Sequence, residues 1–247
     1  MKPTLTDNTH PSYPSPTIWE ALCEIRFPAD PAQFPSQFAR VWDRLRGEFP
    51  QIETLVDVLP PPAMNIISTG PLPTQPRFIL RHASRQILLQ FVPGAFTLNT
   101  LAPYLGWQTM REDIETAWQS VQEVLAPSLV TTINVRYINR VPLPSADARG
   151  WLVAGDYIPA AVVNAGPPFQ SRVQTGTGDT TTLSVGQLPN DPSLAMIVDI
   201  ERSLSGNFPV ETAQVMNHAD ALHEDIWDLF KAAKGPRWND ALEGKPQ

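Results

Sequence analysis

Leu129 to Pro144 reads LVTTINVRYINRVPLP, and this stretch decides the fold. Leu129, Ile133, Val135, Tyr137 and Val141 take odd positions, while Thr132, Asn134, Arg136 and Arg140 take even ones. A period of two sends alternate side chains to opposite sides of an extended backbone, so one side of this predicted strand turns inward and the other carries arginine.

Upstream, Trp107, Met110, Ile114, Ala117, Trp118, Val121 and Leu125 recur at helical steps from about Leu101 until Pro127 stops them. Before that, 77–82 and 86–92 flank Ala83-Ser84-Arg85, a spacing that suits a hairpin. Residues 50–76 are rich in proline and read as a connection with at most a short strand at Met64 to Ile67. Phe34, Phe38, Val41, Leu45 and Phe49 mark an earlier helix whose start is blurred by Pro31 and Pro35, and Ala21, Cys23, Ile25 and Phe27 form the inner side of a first strand. The sum is a ferredoxin-like βαββαβ unit over 18–144, preceded by an extended leader at 1–17.

Downstream, 148–168 is poorly patterned, with one short strand expected around Trp151. Strands are predicted at 169–175, 180–188 and 194–202, forming an antiparallel meander, and a helix at 210–234 carries Val215, Ala219, Leu222, Ile226 and Ala233 on its inner stripe. Trp238 and Leu242 in the tail are expected to dock back. The whole is an α+β protein, in which 145–247 packs as one unit with the first half.

The chain has 247 residues, 42% hydrophobic and 17% charged, enough for a sizeable core. Its 27 prolines against 13 glycines imply stiffened loops. A net charge of −7 weighs against the basic field that nucleic-acid or membrane-surface binding needs. Cys23 is the only cysteine, which excludes an intramolecular disulfide and a cysteine-based zinc knuckle. No signal-like or membrane-spanning apolar run is found, so a cytoplasmic location is expected, without membrane contact.

Five stretches carry a resemblance: Pro16-Thr17-Ile18-Trp19-Glu20-Ala21-Leu22-Cys23-Glu24-Ile25-Arg26-Phe27, Leu101-Ala102-Pro103-Tyr104-Leu105-Gly106-Trp107, Arg136-Tyr137-Ile138-Asn139-Arg140-Val141, Val198-Asp199-Ile200-Glu201 and Leu222-His223. Through them the chain resembles a sporadically distributed family of uncharacterised bacterial proteins of similar length, most specifically in its Arg-Tyr-Ile-Asn strand. The resemblance implies no activity, substrate or catalytic residue.

The chemically suggestive residues lie opposite the apolar stripes. Arg26, Arg77, Arg81, Asn134, Arg136 and Arg140 form a candidate binding face for an anion or for RNA, although it lacks the aromatic residues on which RNA-recognition sheets stack bases. Asp199 and Glu201, on one side of a strong strand, are the natural ion-pair partners that would neutralise it. His218 and His223, five apart on a helix, diverge by roughly 140° and cannot share a metal. His223 reads as a hydrogen-bonded structural residue, Glu224, Asp225 and Asp228 as a solvated helical face, and Gly176-Thr177-Gly178 as a turn rather than a phosphate loop. Trp42 and Trp227, one step off their apolar stripes, are expected to pack between the halves or to meet a partner.

No catalytic residue, metal ligand or cofactor is assigned. The reading favours a non-catalytic protein-interaction or regulatory module of a bacterial multi-gene accessory system, antitoxin-like, immunity-like or defence-associated, with a protein partner. The alternative is an RNA-binding or RNA-processing protein that uses the arginine face, and an enzyme acting on a small anionic metabolite ranks third.

Overall fold

A computed structural model describes residues 10, 13–58, 74–142, 149–165, 168–176, 178–187 and 195–245. In chain order the elements are β1 (Ile18–Arg26), α1 (Phe34–Leu45), β2 (Gln51–Val58), β3 (Thr74–Arg81), β4 (Ile87–Val92), β5 (Ala95–Leu101), α2 (Trp107–Leu125), β6 (Val130–Pro142), α3 (Ala160–Ala165), β7 (Phe169–Gly176), β8 (Asp179–Gln187), β9 (Ala195–Phe208), α4 (Thr212–Ala233) and α5 (Pro236–Leu242). The fold is mixed α+β. Its strands form one continuous sheet, ordered β2-β3-β4-β5-β1-β6-β9-β8-β7, with every pairing antiparallel.

The first half has two strands more than its sequence pattern suggests. The expected hairpin forms as β3–β4, with Phe78 opposite Phe91. However, β2 rises from the proline-rich connection to pair with β3, and β5 follows β4 through Pro93-Gly94. Gly94 has φ +75, the backbone that the third position of a type II turn requires, and a Cβ there would meet the Phe27 carbonyl oxygen at 2.7 Å. Consequently β5, not β4, lies beside β1, and the second helix starts at Trp107 rather than near Leu101. The short strand expected at Met64 to Ile67 lies outside the described residues.

Other boundaries follow from backbone chemistry. Pro35 occupies the first turn of α1, where the amide it lacks has no intrahelical acceptor, so the helix starts late. It ends at Leu45, short of Phe49, as the chain runs into Gly47 and Pro50. Around Trp151 the chain makes isolated bridges, Arg149 to Leu152 and Leu152 to Lys234, instead of a strand. The strand β9 runs on past Arg202 to Phe208, and its pairing with β6 joins the two halves of the sheet.

Alternation assigns the sheet two unlike faces. Ala21, Cys23, Ile25, Ile133, Val135, Val198 and Ile200 are fully buried in the core with Phe38 and Val41 of α1, Ile114 and Trp118 of α2, and Val215 and Ala219 of α4. Residues of the opposite phase, such as Glu24, Asn134, Arg136 and Glu201, remain partly exposed. In the tail, α5 buries Trp238 and Leu242. No helix among the described residues is long and apolar enough to cross a membrane.

Candidate functional site

The polar face carries the arginines singled out from the sequence, and each is engaged within the chain. Arg136 grips Asp199 with two hydrogen bonds, from Nε at 2.8 Å and from Nη2 at 2.5 Å, while Asn134 donates to Glu201 at 2.6 Å. These links run diagonally between neighbouring strands, since Glu201 stands directly opposite Arg136. Asp199 raises the Arg136 guanidinium above its ordinary pKa. Arg77 donates to both oxygens of Asp57 and to Gln90, Arg81 donates to Glu53, and Arg26 donates to Glu24. Arg140, exposed near the end of β6, also has an interaction.

These residues do not form one cluster. Four strand spacings of about 4.8 Å separate β3 from β6, so Arg77 and Arg81 stand roughly 19 Å from Arg136 across the sheet. Two of the neutralising acids, Glu53 and Asp57, come from the stretch read as a connection, which is why the sequence pattern left Arg77 and Arg81 unanswered.

On the helix-covered side a cavity of about 410 Å³ opens between α2, α4, β6 and the N-terminal segment. Each of the five stretches singled out in the sequence contributes to its wall, through Thr17, Tyr104, Trp107, Tyr137, Ile200 and His223 among others. The segment 15–17, which supplies Thr17 to this wall, is pinned: the Ser15 amide donates to the Leu242 carbonyl, the Arg140 amide donates to the Thr17 carbonyl, and Trp238 Nε1 donates to the Thr17 hydroxyl. At the start of α2, Gly106 has φ +98, a conformation few other residues accept. Trp107, read as core, instead forms a wall, its indole fixed by a 2.8 Å hydrogen bond to Asp220, the same carboxylate that receives Arg111.

His223 lines this space and is only 6% exposed. Its Nδ1 lies 3.0 Å from the Tyr137 hydroxyl, which lies 2.8 Å from the Tyr104 hydroxyl. Its ring stacks on Trp107 with centroids 4.4 Å apart. Its Nε2 is buried and has no hydrogen-bond partner. Burial, with a smaller contribution from His10, lowers its pKa to about 3, so the ring is neutral at physiological pH. Burial likewise raises the pKa of both tyrosine hydroxyls.

His10 reaches this site from the leader. It stacks on Trp227 at 4.3 Å, and its Nε2 is 2.9 Å from Glu224 Oε1. One donor atom from each of His10, His223 and Glu224 lies within 4.8 Å of the others, a set that suits a transition-metal ion. Helix periodicity excluded His218 as a partner for His223, and His218 does pack elsewhere, on Phe208. What periodicity could not reveal is a ligand from the far end of the chain. The acids of α4 are also less idle than read: Glu224 holds His10 and Asp225 accepts from Arg202, while Asp228 pairs with Lys231 at the surface. Cys23 is buried, and desolvation raises its thiol to about 12, which removes it as a nucleophile.

No protein-family model, curated protein or solved structure matches the chain.

Proposed function

We propose that the chain is a non-catalytic regulatory or interaction module whose input is a small, ring-bearing, largely apolar molecule held in the aromatic cavity. One observation carries the reading: a buried imidazole nitrogen without a partner, His223 Nε2, in a cavity walled by Tyr104, Trp107, Tyr137, Trp227 and Phe230. A buried polar atom left unpaired costs about 1–3 kcal/mol, and a ligand that hydrogen-bonds to it recovers that cost while the rings supply contact area. Because the N-terminal segment and α4 both line the cavity, occupancy reaches the outer surface of the fold, where a protein partner can read it. A cytoplasmic setting suits a chain whose single cysteine can form no internal disulfide.

The alternative RNA reading draws less support, since the arginines that would meet phosphates already meet carboxylates. Within the sheet we read β1, α1, β4, β5, α2 and β6 as a ferredoxin-like core, with strand order β4-β5-β1-β6, to which the β2–β3 hairpin adds an edge.

The test is a titration of the tag-free protein with anilinonaphthalene sulfonate, read by probe emission and by quenching of tryptophan. One saturable site per chain is expected, weakened about tenfold or more by Trp227→Ala. Absence of a saturable site, or equal affinity in the variant, overturns the reading. A fluorescent uridine oligonucleotide retained at about 150 mM salt, and released by the Arg136→Ala, Arg140→Ala double change, would put RNA in its place.

A further inference from the structure

We propose that His10, His223 and Glu224 form a binding site for a divalent transition metal of the zinc class at the edge of the aromatic cavity. The proposal does not depend on an organic ligand in that cavity, and since both use the His223 Nε2 lone pair, a bound metal excludes a ligand hydrogen-bonded to that atom. Their donor atoms converge within 4.8 Å, and among the described residues no other group of three such side chains does so. Two imidazoles and one carboxylate favour zinc and its neighbours over calcium or magnesium, which prefer all-oxygen shells.

Each ligand is held in orientation by groups behind it. The His223 ring is clamped by the Trp107 stack, and its Nδ1 meets the Tyr137 hydroxyl, backed in turn by Tyr104. With Nδ1–H donating to that oxygen, the lone pair of Nε2 is free, and a ring whose second nitrogen donates to an oxygen is the usual arrangement of a metal-bound histidine. Nε2 is the buried atom that finds no partner within the protein. His10 is fixed by its stack on Trp227, and a hydrogen bond of 2.9 Å, with one proton, joins its Nε2 to Glu224 Oε1. A metal ion replaces that proton and uses the same two atoms.

The geometry requires a small contraction. Donors about 2 Å from a tetrahedral ion lie roughly 3.3 Å apart, so a separation of 4.8 Å must close by up to about 1.5 Å. Because His10 and Glu224 already lie 2.9 Å apart, the closure brings this pair toward His223, and their side chains, 21% and 35% exposed, have room to move. Three protein ligands leave a fourth position, open to water or to a cavity ligand.

The experiment uses full-length, tag-free protein stripped with a chelator and titrated with Co²⁺, followed by its visible absorption and by displacement with Zn²⁺. One equivalent with a ligand-field spectrum is expected. His10→Ala and Glu224→Gln should each weaken binding by about a hundredfold or more, Tyr137→Phe by about tenfold with the spectrum kept, and His218→Ala not at all. Near-ultraviolet circular dichroism verifies that each variant is folded. No stoichiometric Co²⁺ in the wild type, or unchanged affinity in folded His10→Ala and Glu224→Gln, overturns the site. Anilinonaphthalene sulfonate binding, read in parallel, separates the two proposals: probe retained without cobalt sinks only the metal site, and cobalt retained without probe sinks only the cavity reading.

Discussion

Across the polar face of the sheet, Arg26, Arg77, Arg81 and Arg136 each meet a carboxylate of the same chain, whereas on the helix-covered side His223 keeps a buried ring nitrogen unpaired. The first region is the more charged and looks like a binding surface in sequence; the second is mostly aromatic and looks like core. The difference teaches that charge density alone is a poor guide to function. A group answered within the fold has little left to offer a ligand, while an unanswered buried group is costly unless something else completes it.

That contrast can be broken in several ways, the largest first. Trp238 is fully buried and its indole donates to Thr17, the residue that anchors the N-terminal segment at the cavity. Trp238→Ala should cost about 3–5 kcal/mol in urea unfolding and should loosen the cavity wall with it, so that cavity-probe binding falls too. A smaller loss, about 1–3 kcal/mol, is expected for Tyr137→Phe, which strands both the Tyr104 hydroxyl and His223 Nδ1 in the interior.

On the polar face the expected effects are smaller because water screens them. The Arg136 side chain is 37% exposed and that of Asp199 is 16% exposed, so a double-mutant cycle through Arg136→Ala and Asp199→Ala should return a coupling of about 1 kcal/mol. A coupling near zero would mean that the pair is not closed in solution and that the arginine face is available after all.

The mildest effect concerns acid. The hydrogen bond from Arg77 lowers the pKa of Asp57 below its ordinary 3.8. A carboxylate whose folded pKa is lowered contributes stability that is present above 3.8 and is lost as pH falls through the folded value. Arg77→Ala should therefore flatten the urea-midpoint profile only below about pH 4 and leave it parallel to the wild type at neutral pH.

Much of the fold was legible where period and punctuation agreed. The alternation of β6 and the stripe of α4 from Val215 to Ala233 both translate directly into burial. The strands β2 and β5 were missed for different reasons. The first lies between prolines and pairs at the sheet edge, with Leu55 and Val56 exposed, so its weak apolar pattern reflects its exposure. The second follows Pro93-Gly94, a turn signal that passed unused.

The site was less legible than the fold. Asp199 and Glu201 could be matched with Arg136 and Asn134 because neighbouring strands carry them in phase. His10 and Glu224 are 214 positions apart, and no local period relates them. The hint that did exist was the i, i+4 pair His223 and Trp227 on one side of a helix, together with Tyr137 on an inward position of the strand it packs against. Tyrosine inside a core normally finds a partner for its hydroxyl, and in the structure His223 is one such partner.

The most direct measurement is heteronuclear NMR of the histidine ring nitrogens, with and without saturating anilinonaphthalene sulfonate. The expected result is a shift of His223 Nε2 on binding, with His82 and His218 unmoved. Probe that binds while His223 Nε2 keeps its free-state signal would contradict the account, because the atom on which the cavity reading rests would not be the atom that meets the ligand.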